Sequence, residues 1–289
     1  MGSPCELRLY AALESSLELA AESGIAEVHR LERKYTRYRD DSLTTAINRS
    51  AGDLSGIEVD RETAALLDYA DICFQQSGGL FDITSGVLRE VWDFRSQHVP
   101  CRSEVDAVRQ RVGWDRVHWQ RPRLVLPERG MQIDFGGLVK EYAVDRCVEQ
   151  CRALGIRHGL IDLGGDLATI GPHPDGSPWI IGIRDPRNPH EALASVPVSR
   201  GAVASSGDYE RFIVVDGVRY GHILNPTTGW PVEGLAGVSV IAPQCLIAGT
   251  ASTIALLKGE QDGATWLDEL GLANLRITRS GTVSGTIAA

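Results

Sequence analysis

Long apolar runs are missing from this 289-residue chain, and no stretch approaches the roughly 18 consecutive apolar residues that a membrane-spanning helix needs. The residues Met1-Gly2-Ser3-Pro4-Cys5-Glu6 lack a basic flank followed by an apolar stretch, so no signal peptide is visible. A cytoplasmic location is expected, or a periplasmic one if a leader has been trimmed. Cysteine is sparse and scattered: Cys5, Cys73, Cys101, Cys147, Cys151 and Cys245 do not make a disulfide framework in a chain this long. No Cys-x-x-Cys or Cys/His cluster shows zinc spacing, which leaves reduced, buried thiols as the expectation. Basic residues are outnumbered, 29 Lys+Arg against 38 Asp+Glu, giving a net charge of -9 and a pI near 5.3. That balance argues against a nucleic-acid partner, which needs basic surface to neutralise phosphates. Lysine is rare, with three in the chain (Lys34, Lys140 and Lys258). Nucleotide signatures are missing as well. No G-x-G-x-x-G follows a strand and no G-x-x-x-x-G-K-[ST] occurs, so neither a Rossmann nor a P-loop site is supported.

What remains is an ordinary soluble composition, 43% hydrophobic and 23% charged, with 31 Gly and 13 Pro. The length is large for one domain and small for two, so a single two-lobed domain over 1–289 is expected. Mixed three- and four-residue spacing of Leu17, Leu19, Ile25, Val28 and Leu31 predicts a long helix over 12–39. Asp41 or Ser42 is placed to cap a short helix carrying Ile47 and Asn48. Asp60 opens a helix over 60–77 that closes at Ser77-Gly78-Gly79. Further helices are predicted over 102–113, 138–154, 246–257 and 261–270. Between 157 and 241 the texture changes to short apolar runs, such as 159–163, 179–183 and 211–215, split by Gly, Pro and Asp. Asp216-Gly217 between apolar residues is a hairpin signal. Helices packed on mixed, mainly antiparallel sheets make an α+β fold, and the irregular order of strands and helices argues against a doubly wound sheet.

Several Gly-rich turns carry a polar residue at their edge. They are Ser77-Gly78-Gly79-Leu80-Phe81-Asp82, Asp134-Phe135-Gly136-Gly137, Asp162-Leu163-Gly164-Gly165-Asp166 and Ser205-Ser206-Gly207-Asp208. Each alone is most often a tight turn, but four in one chain favour a large ligand approached closely by backbone. His222 lies at a strand end running into Asn225-Pro226-Thr227-Thr228-Gly229, a rigid support for a functional side chain. A lone histidine there is more often structural. Lys140 follows a Gly pair at a helix start, where a lysine usually caps or solvates, although a helix amino terminus also suits a phosphate. Asp134 before its Gly pair reads as a turn-forming residue.

In chain order these segments resemble the flavin transferase family, FAD:protein FMN transferase or ApbE. The resemblance runs over nearly the whole chain. It is carried by Met1-Gly2-Ser3, Tyr38-Arg39-Asp40-Asp41-Ser42 with Asn48, Gly79-Leu80-Phe81-Asp82, Ile133-Asp134-Phe135-Gly136-Gly137 with Lys140, and Tyr142-Ala143-Val144-Asp145. It continues through Asp162-Leu163-Gly164-Gly165-Asp166, Ser205-Ser206-Gly207-Asp208-Tyr209, His222-Ile223-Leu224-Asn225-Pro226 with Gly229, and Ala248 to Thr253. The resemblance implies a two-lobed α+β fold with FAD in a cleft. It also implies Mg2+-dependent transfer of FMN through a phosphoester bond to a Thr or Ser hydroxyl of an acceptor flavoprotein, with release of AMP. By the same resemblance Met1, Tyr38, Leu80, Phe81 and Asp82 line the flavin and adenine sites. Asp134, Lys140, Ser206 and Ala236 belong with the nucleotide, and His222 stands near the reacting phosphate. The metal ligands map to the Gly137 carbonyl and the Thr253 hydroxyl.

Two positions depart from the family pattern. Ala248-Gly249-Thr250 stands where the family has Ala-Asp-Ala, so a metal-binding carboxylate is absent, and Glu141 replaces the usual Gly after the lysine. In a helix over 138–154, Glu141 lies four residues after Gly137, on the same face, from which it would reach the ion. A plain salt bridge to Lys140 or Arg146 is the open alternative. The implied activity accordingly keeps two rivals, a non-catalytic FAD carrier and an FAD pyrophosphatase.

Overall fold

The computed structural model describes residues 4–188, 191–209 and 211–288. Met1, implied by the family resemblance as a flavin contact, lies outside the described residues. The elements run β1 (Cys5–Tyr10), α1 (Glu14–Tyr35), α2 (Leu43–Arg49), β2 (Ile57–Glu58), α3 (Arg61–Ser77), a 3-10 helix (Ile83–Glu90), α4 (Arg102–Arg109), a 3-10 turn (Trp114–Arg116), β3 (His118–Gln120) and β4 (Arg123–Val125). They continue with α5 (Val139–Ala153), β5 (His158–Leu163), β6 (Asp166–Gly171), β7 (Trp179–Arg184), β8 (Ala192–Val198), β9 (Gly201–Gly207), β10 (Phe212–Val215) and β11 (Val218–Gly221). The last elements are β12 (Leu235–Ala242), α6 (Cys245–Lys258), α7 (Glu260–Leu270), β13 (Ala273–Thr278) and β14 (Val283–Gly285). No helix among the described residues is long and apolar enough to cross a membrane.

The chain forms two compact units. The first takes residues 1–33, 137–207 and 234–289, and the second takes 34–136 and 208–233. The first is built on a seven-stranded sheet of order β1-β5-β6-β9-β12-β13-β14, and every pairing in it is antiparallel. Alternation along its strands divides two faces. Leu160, Leu167, Val203, Leu275 and Ile277 point to one face, where Trp179, Ile181, Ile183, Ala194, Val196 and Val198 of the β7–β8 hairpin cover them. Against the sheet also pack α5, next to β5 and β6, and α6, next to β9 and β12. The second unit is helical around a smaller core of Val87, Leu88, Trp92, Val108, Ile213 and Leu224, with the three-stranded sheet β2-β4-β3 and the β10–β11 hairpin.

Local chemistry explains the element ends. Asp60 caps α3 by accepting from the Glu62 and Thr63 amides, and Gly78 ends it in the left-handed region at φ 69°. Of the two caps expected for α2, Ser42 is the one used, accepting from the Thr45 amide at 3.0 Å. Asp216 and Gly217 both take positive φ, 51° and 78°, the two-residue turn that matches strand twist. Two helices are shorter than expected. The 12–39 helix ends at Tyr35, which puts Tyr38 outside it, and the 102–113 helix ends at Arg109. The thiol expectation holds for Cys73, Cys147, Cys151 and Cys245, whereas Cys5 and Cys101 are exposed.

Candidate active site

In the first unit, polar groups gather where the first turn of α5 meets α6 and the sheet. Regular helix begins at Val139, since the N-cap Leu138 has φ -133° and ψ -46°. Gly137 therefore precedes the cap and does not share a helical face with Glu141, which corrects the four-residue spacing expected from the sequence. Lys140 is the second residue of α5, and its Nζ lies 2.5 Å from Asp166 Oδ2 at the start of β6. The Asp166 side chain is almost wholly buried, and the lysine side chain remains one-third exposed. Burial works against the lysine charge, but the Asp166 and Glu141 carboxylates outweigh it and raise its pKa above the usual range. Lys140 is thus neither a cap nor a solvated surface charge.

Glu141 is buried, with 7% of its surface exposed. Among the described residues it makes no salt bridge. Arg146, the partner expected for it, is taken by Glu27 and Glu149, and Lys140 by Asp166. Its Oε2 is buried without a hydrogen-bond partner. Burial first, and then the neighbouring Asp166 carboxylate, raise its carboxyl pKa well above the usual range, against the pull of Lys140. The side chain lies against Gly249 of α6, where a Cβ added to the glycine would meet Glu141 Cγ at 2.5 Å. One turn further along α6, the Thr253 hydroxyl lies 2.7 Å from Ser206 Oγ, which is also 2.8 Å from Ser252 Oγ. Ala236 is buried on β12. The amino terminus of α6 is fixed by Asp145, whose carboxylate accepts from the Cys245 and Leu246 amides at 2.8 and 2.9 Å.

In the second unit, Asp134 accepts from the Gly136 amide at 2.8 Å and pairs with Arg37 at 3.2 Å. Arg37 also donates to the Gly86 carbonyl, and Gly86 is close-packed: a Cβ there would lie 2.5 Å from Asp134 Cβ. Asp134 is thus more than a turn residue. Tyr38, beside Arg37, is 86% exposed. Phe81 and Asp82 are buried, and Leu80 is half-buried. The Asp82 carboxylate caps the 3-10 helix through the Thr84 amide and hydroxyl and accepts from the Trp114 amide. Those three bonds hold up the segment bearing Leu80 and Phe81. His222 sits on a braced loop: Asn225 Oδ1 accepts from the Thr227 and Thr228 amides, the Gly229 amide donates to the Asn225 carbonyl, and Trp92 Nε1 donates to the Gly229 carbonyl. Arg89 donates to the His222 carbonyl at 3.1 Å.

The model of the ApbE family matches residues 1–275. The chain belongs to the ApbE family. The FAD:protein FMN transferase of Treponema pallidum is 30% identical over 93% of this chain and 80% of that protein. The protein of the same name from Salmonella typhimurium is 29% identical over 84% and 72%. Among solved structures, the ApbE protein of Thermotoga maritima matches with a TM-score of 0.88 and 30% identity, covering 97% of this chain and 93% of that one. The Pseudomonas stutzeri flavinyl transferase ApbE in its apo form matches at 0.87 and 29%, covering 99% and 92%. Membership in ApbE and these fold matches agree with the α+β reading. Sequence reasoning singled out Lys140 but not its partner Asp166, which was visible only as part of a Gly-rich turn. It also missed Ser252, Arg37 and Arg89. An Asp closing a Gly-Gly turn before a buried strand was the available signal for Asp166; for the two arginines there was none.

Proposed function

We propose that this ApbE chain is an FAD:protein FMN transferase, moving FMN from FAD to a Ser or Thr hydroxyl of an acceptor flavoprotein and releasing AMP. The observation that carries the reading is the Lys140–Asp166 pair with the buried Glu141 against Gly249 of α6, the helix that also bears the Ser252 and Thr253 hydroxyls bonded to Ser206. Splitting a pyrophosphate is mostly a problem of positioning and charge neutralisation, and one ammonium with clustered oxygen ligands suits it. Family membership and relatives bearing that activity's name support the reading.

In the proposed reaction the acceptor hydroxyl oxygen bonds to the phosphorus on the FMN side. The bond from that phosphorus to the bridging oxygen breaks, and its electron pair leaves with AMP. The hydroxyl proton goes to a base, a task for the imidazole of His222 on its braced loop. Lys140 places a compact positive charge at the phosphates. By the family resemblance the FAD contacts fall on Tyr38, Leu80, Phe81 and Asp134 of the second unit, with Asp82 supporting that segment, and on Ser206 and Ala236 of the first. By the family resemblance the Thr253 hydroxyl and the Gly137 carbonyl would hold Mg2+, which favours oxygen ligands. Among the described residues no three His, Cys, Asp or Glu side chains form a metal cluster. When bound, the ion neutralises the pyrophosphate charge.

The test is incubation with FAD, Mg2+ and an acceptor flavoprotein, read by intact-protein mass spectrometry. An added FMN mass on the acceptor, with AMP released, is the expected result. Free FMN and AMP without modified acceptor would make the chain a pyrophosphatase, and unchanged FAD would make it a carrier.

A further inference from the structure

We propose that Glu141 supplies the protein carboxylate of the divalent-cation site, reaching from α5 into the space left by the missing side chain of Gly249. The inference rests on the reading of this site as one for a metal-bound pyrophosphate. Three observations on the first unit carry it. Glu141 is buried to 7% exposure, and its Oε2 is shut off from water with no hydrogen-bond donor. A buried carboxylate oxygen left without a partner is costly, and a bound cation would remove that cost. The two cations nearest it in sequence are engaged elsewhere, Lys140 on Asp166 and Arg146 on Glu27 and Glu149. Finally, Cγ, Cδ and Oε1 of Glu141 are the three atoms nearest a Cβ at position 249, at 2.5, 3.1 and 3.1 Å, so the two positions compete for one space.

This competition has a chemical consequence. A side chain on Gly249 and the glutamate at 141 exclude one another, so the site holds one carboxylate at that point and not two. The carboxylate sits beside the helix turn that leads from Gly249 to Thr253, whose hydroxyl faces Ser206. One carboxylate, one hydroxyl and substrate phosphates are a donor set that suits Mg2+ better than a softer metal.

The proposal is tested with Mn2+ alone as the probe, by electron paramagnetic resonance of the free ion, with FAD binding followed separately by flavin fluorescence in chelator. Glu141→Gln should weaken Mn2+ binding by roughly tenfold or more, since losing even an outer-sphere partner costs about 10–100-fold. Flavin binding without metal should change less than about twofold. The restoring pair is Glu141→Ala with Gly249→Asp, because alanine removes all three atoms that a side chain at 249 would meet, whereas glutamine keeps the colliding Cγ. That pair should regain Mn2+ binding, and Gly249→Asp alone should not strengthen it. Circular dichroism reports whether each variant folds; should Glu141→Gln fail, Glu141→Ala carries the same reading. Unchanged Mn2+ affinity in a folded Glu141 variant overturns the proposal, as does a wild-type chain that binds FAD but no Mn2+. A wild-type chain that binds neither overturns the functional reading itself.

Discussion

Asp145 is the residue whose loss should most cleanly expose how the first unit holds its chemistry in place. Its carboxylate crosses from α5 to accept from the first two amides of α6, Cys245 at 2.8 Å and Leu246 at 2.9 Å. In Asp145→Ala those amides lose their acceptor, at about 1–3 kcal/mol each where water cannot replace it. The favourable interaction of the carboxylate with the helix dipole, about 0.3–1 kcal/mol, is lost as well. Partial access of water at a helix end brings the expected total to about 2–4 kcal/mol of local stability. At about 1.4 kcal/mol per factor of ten, that is roughly 30- to 1000-fold faster hydrogen exchange at the α6 amino terminus. The assay is hydrogen-exchange mass spectrometry on a peptide covering α6, with peptides of the second unit as internal controls. Asp145→Asn, which keeps one acceptor oxygen, should give about half the effect in free energy. Burial raises the Asp145 pKa above the ordinary 3.8 of an aspartate, against hydrogen bonds from the Leu246 and Cys245 amides. The native state therefore holds the proton to higher pH than the unfolded chain does. The stability from that proton is fully present below 3.8 and is lost as pH rises through the native value, a dependence Asp145→Ala should flatten. Exchange in α6 within threefold of wild type would refute the capping role.

Three further outcomes are expected. His222→Ala should lower FMN transfer by about 10²–10⁴-fold while FAD affinity stays within about twofold, and near-normal turnover would remove His222 from proton handling. Tyr38→Ala should weaken FAD binding measured by titration calorimetry yet leave stability within about 0.5 kcal/mol, because this side chain is 86% exposed; an unchanged dissociation constant would take Tyr38 out of the flavin site. Asp60→Asn should keep the α3 cap, since asparagine caps as well, and lose the ion pair with Lys34 at 2.8 Å, costing under about 1 kcal/mol for this half-exposed pair. Burial opposes ionisation of Asp60, but Lys34 and the Thr63 donors outweigh it and lower the pKa to about 2. Its contribution is therefore present above 3.8 and lost as pH falls toward 2, and urea titrations of Asp60→Asn should lack that acid-limb loss.

Local chemistry was legible in the sequence wherever one or two residues decide a structure. Asp60 and Gly78 mark the ends of α3, Ser42 the start of α2, and Asp216-Gly217 a turn, because each acts on backbone within four residues of itself. The ordered Gly-rich turns carried the family resemblance for a similar reason, since each is a compact local motif. What escaped is what the topology assembles. The second unit is made of two stretches, 34–136 and 208–233, and no composition shift announces that His222 belongs with Asp134 and not with its neighbours in β9. Arg37 meets Asp134 across 97 positions, and Lys140 finds Asp166 only because β6 lies next to α5. Two helix ends were overestimated, those at Tyr35 and Arg109.

The small residues of α6 tie packing to chemistry. Ala248, Gly249, Ala251 and Ser252 are all buried, and their lack of bulk is what lets α6 lie close to both α5 and the sheet. In three dimensions, Gly249 opens the volume that the Glu141 side chain fills from the neighbouring helix. A side chain at 249 alone is therefore opposed by overpacking of about 1–3 kcal/mol, and the two positions are coupled. Coupling of this kind has a measurable sign. Gly249→Ala should destabilise the wild-type chain and do so much less in the Glu141→Ala background, with an interaction energy of about 1 kcal/mol or more. Additive effects of the two substitutions in urea unfolding would mean that α5 and α6 do not share this space.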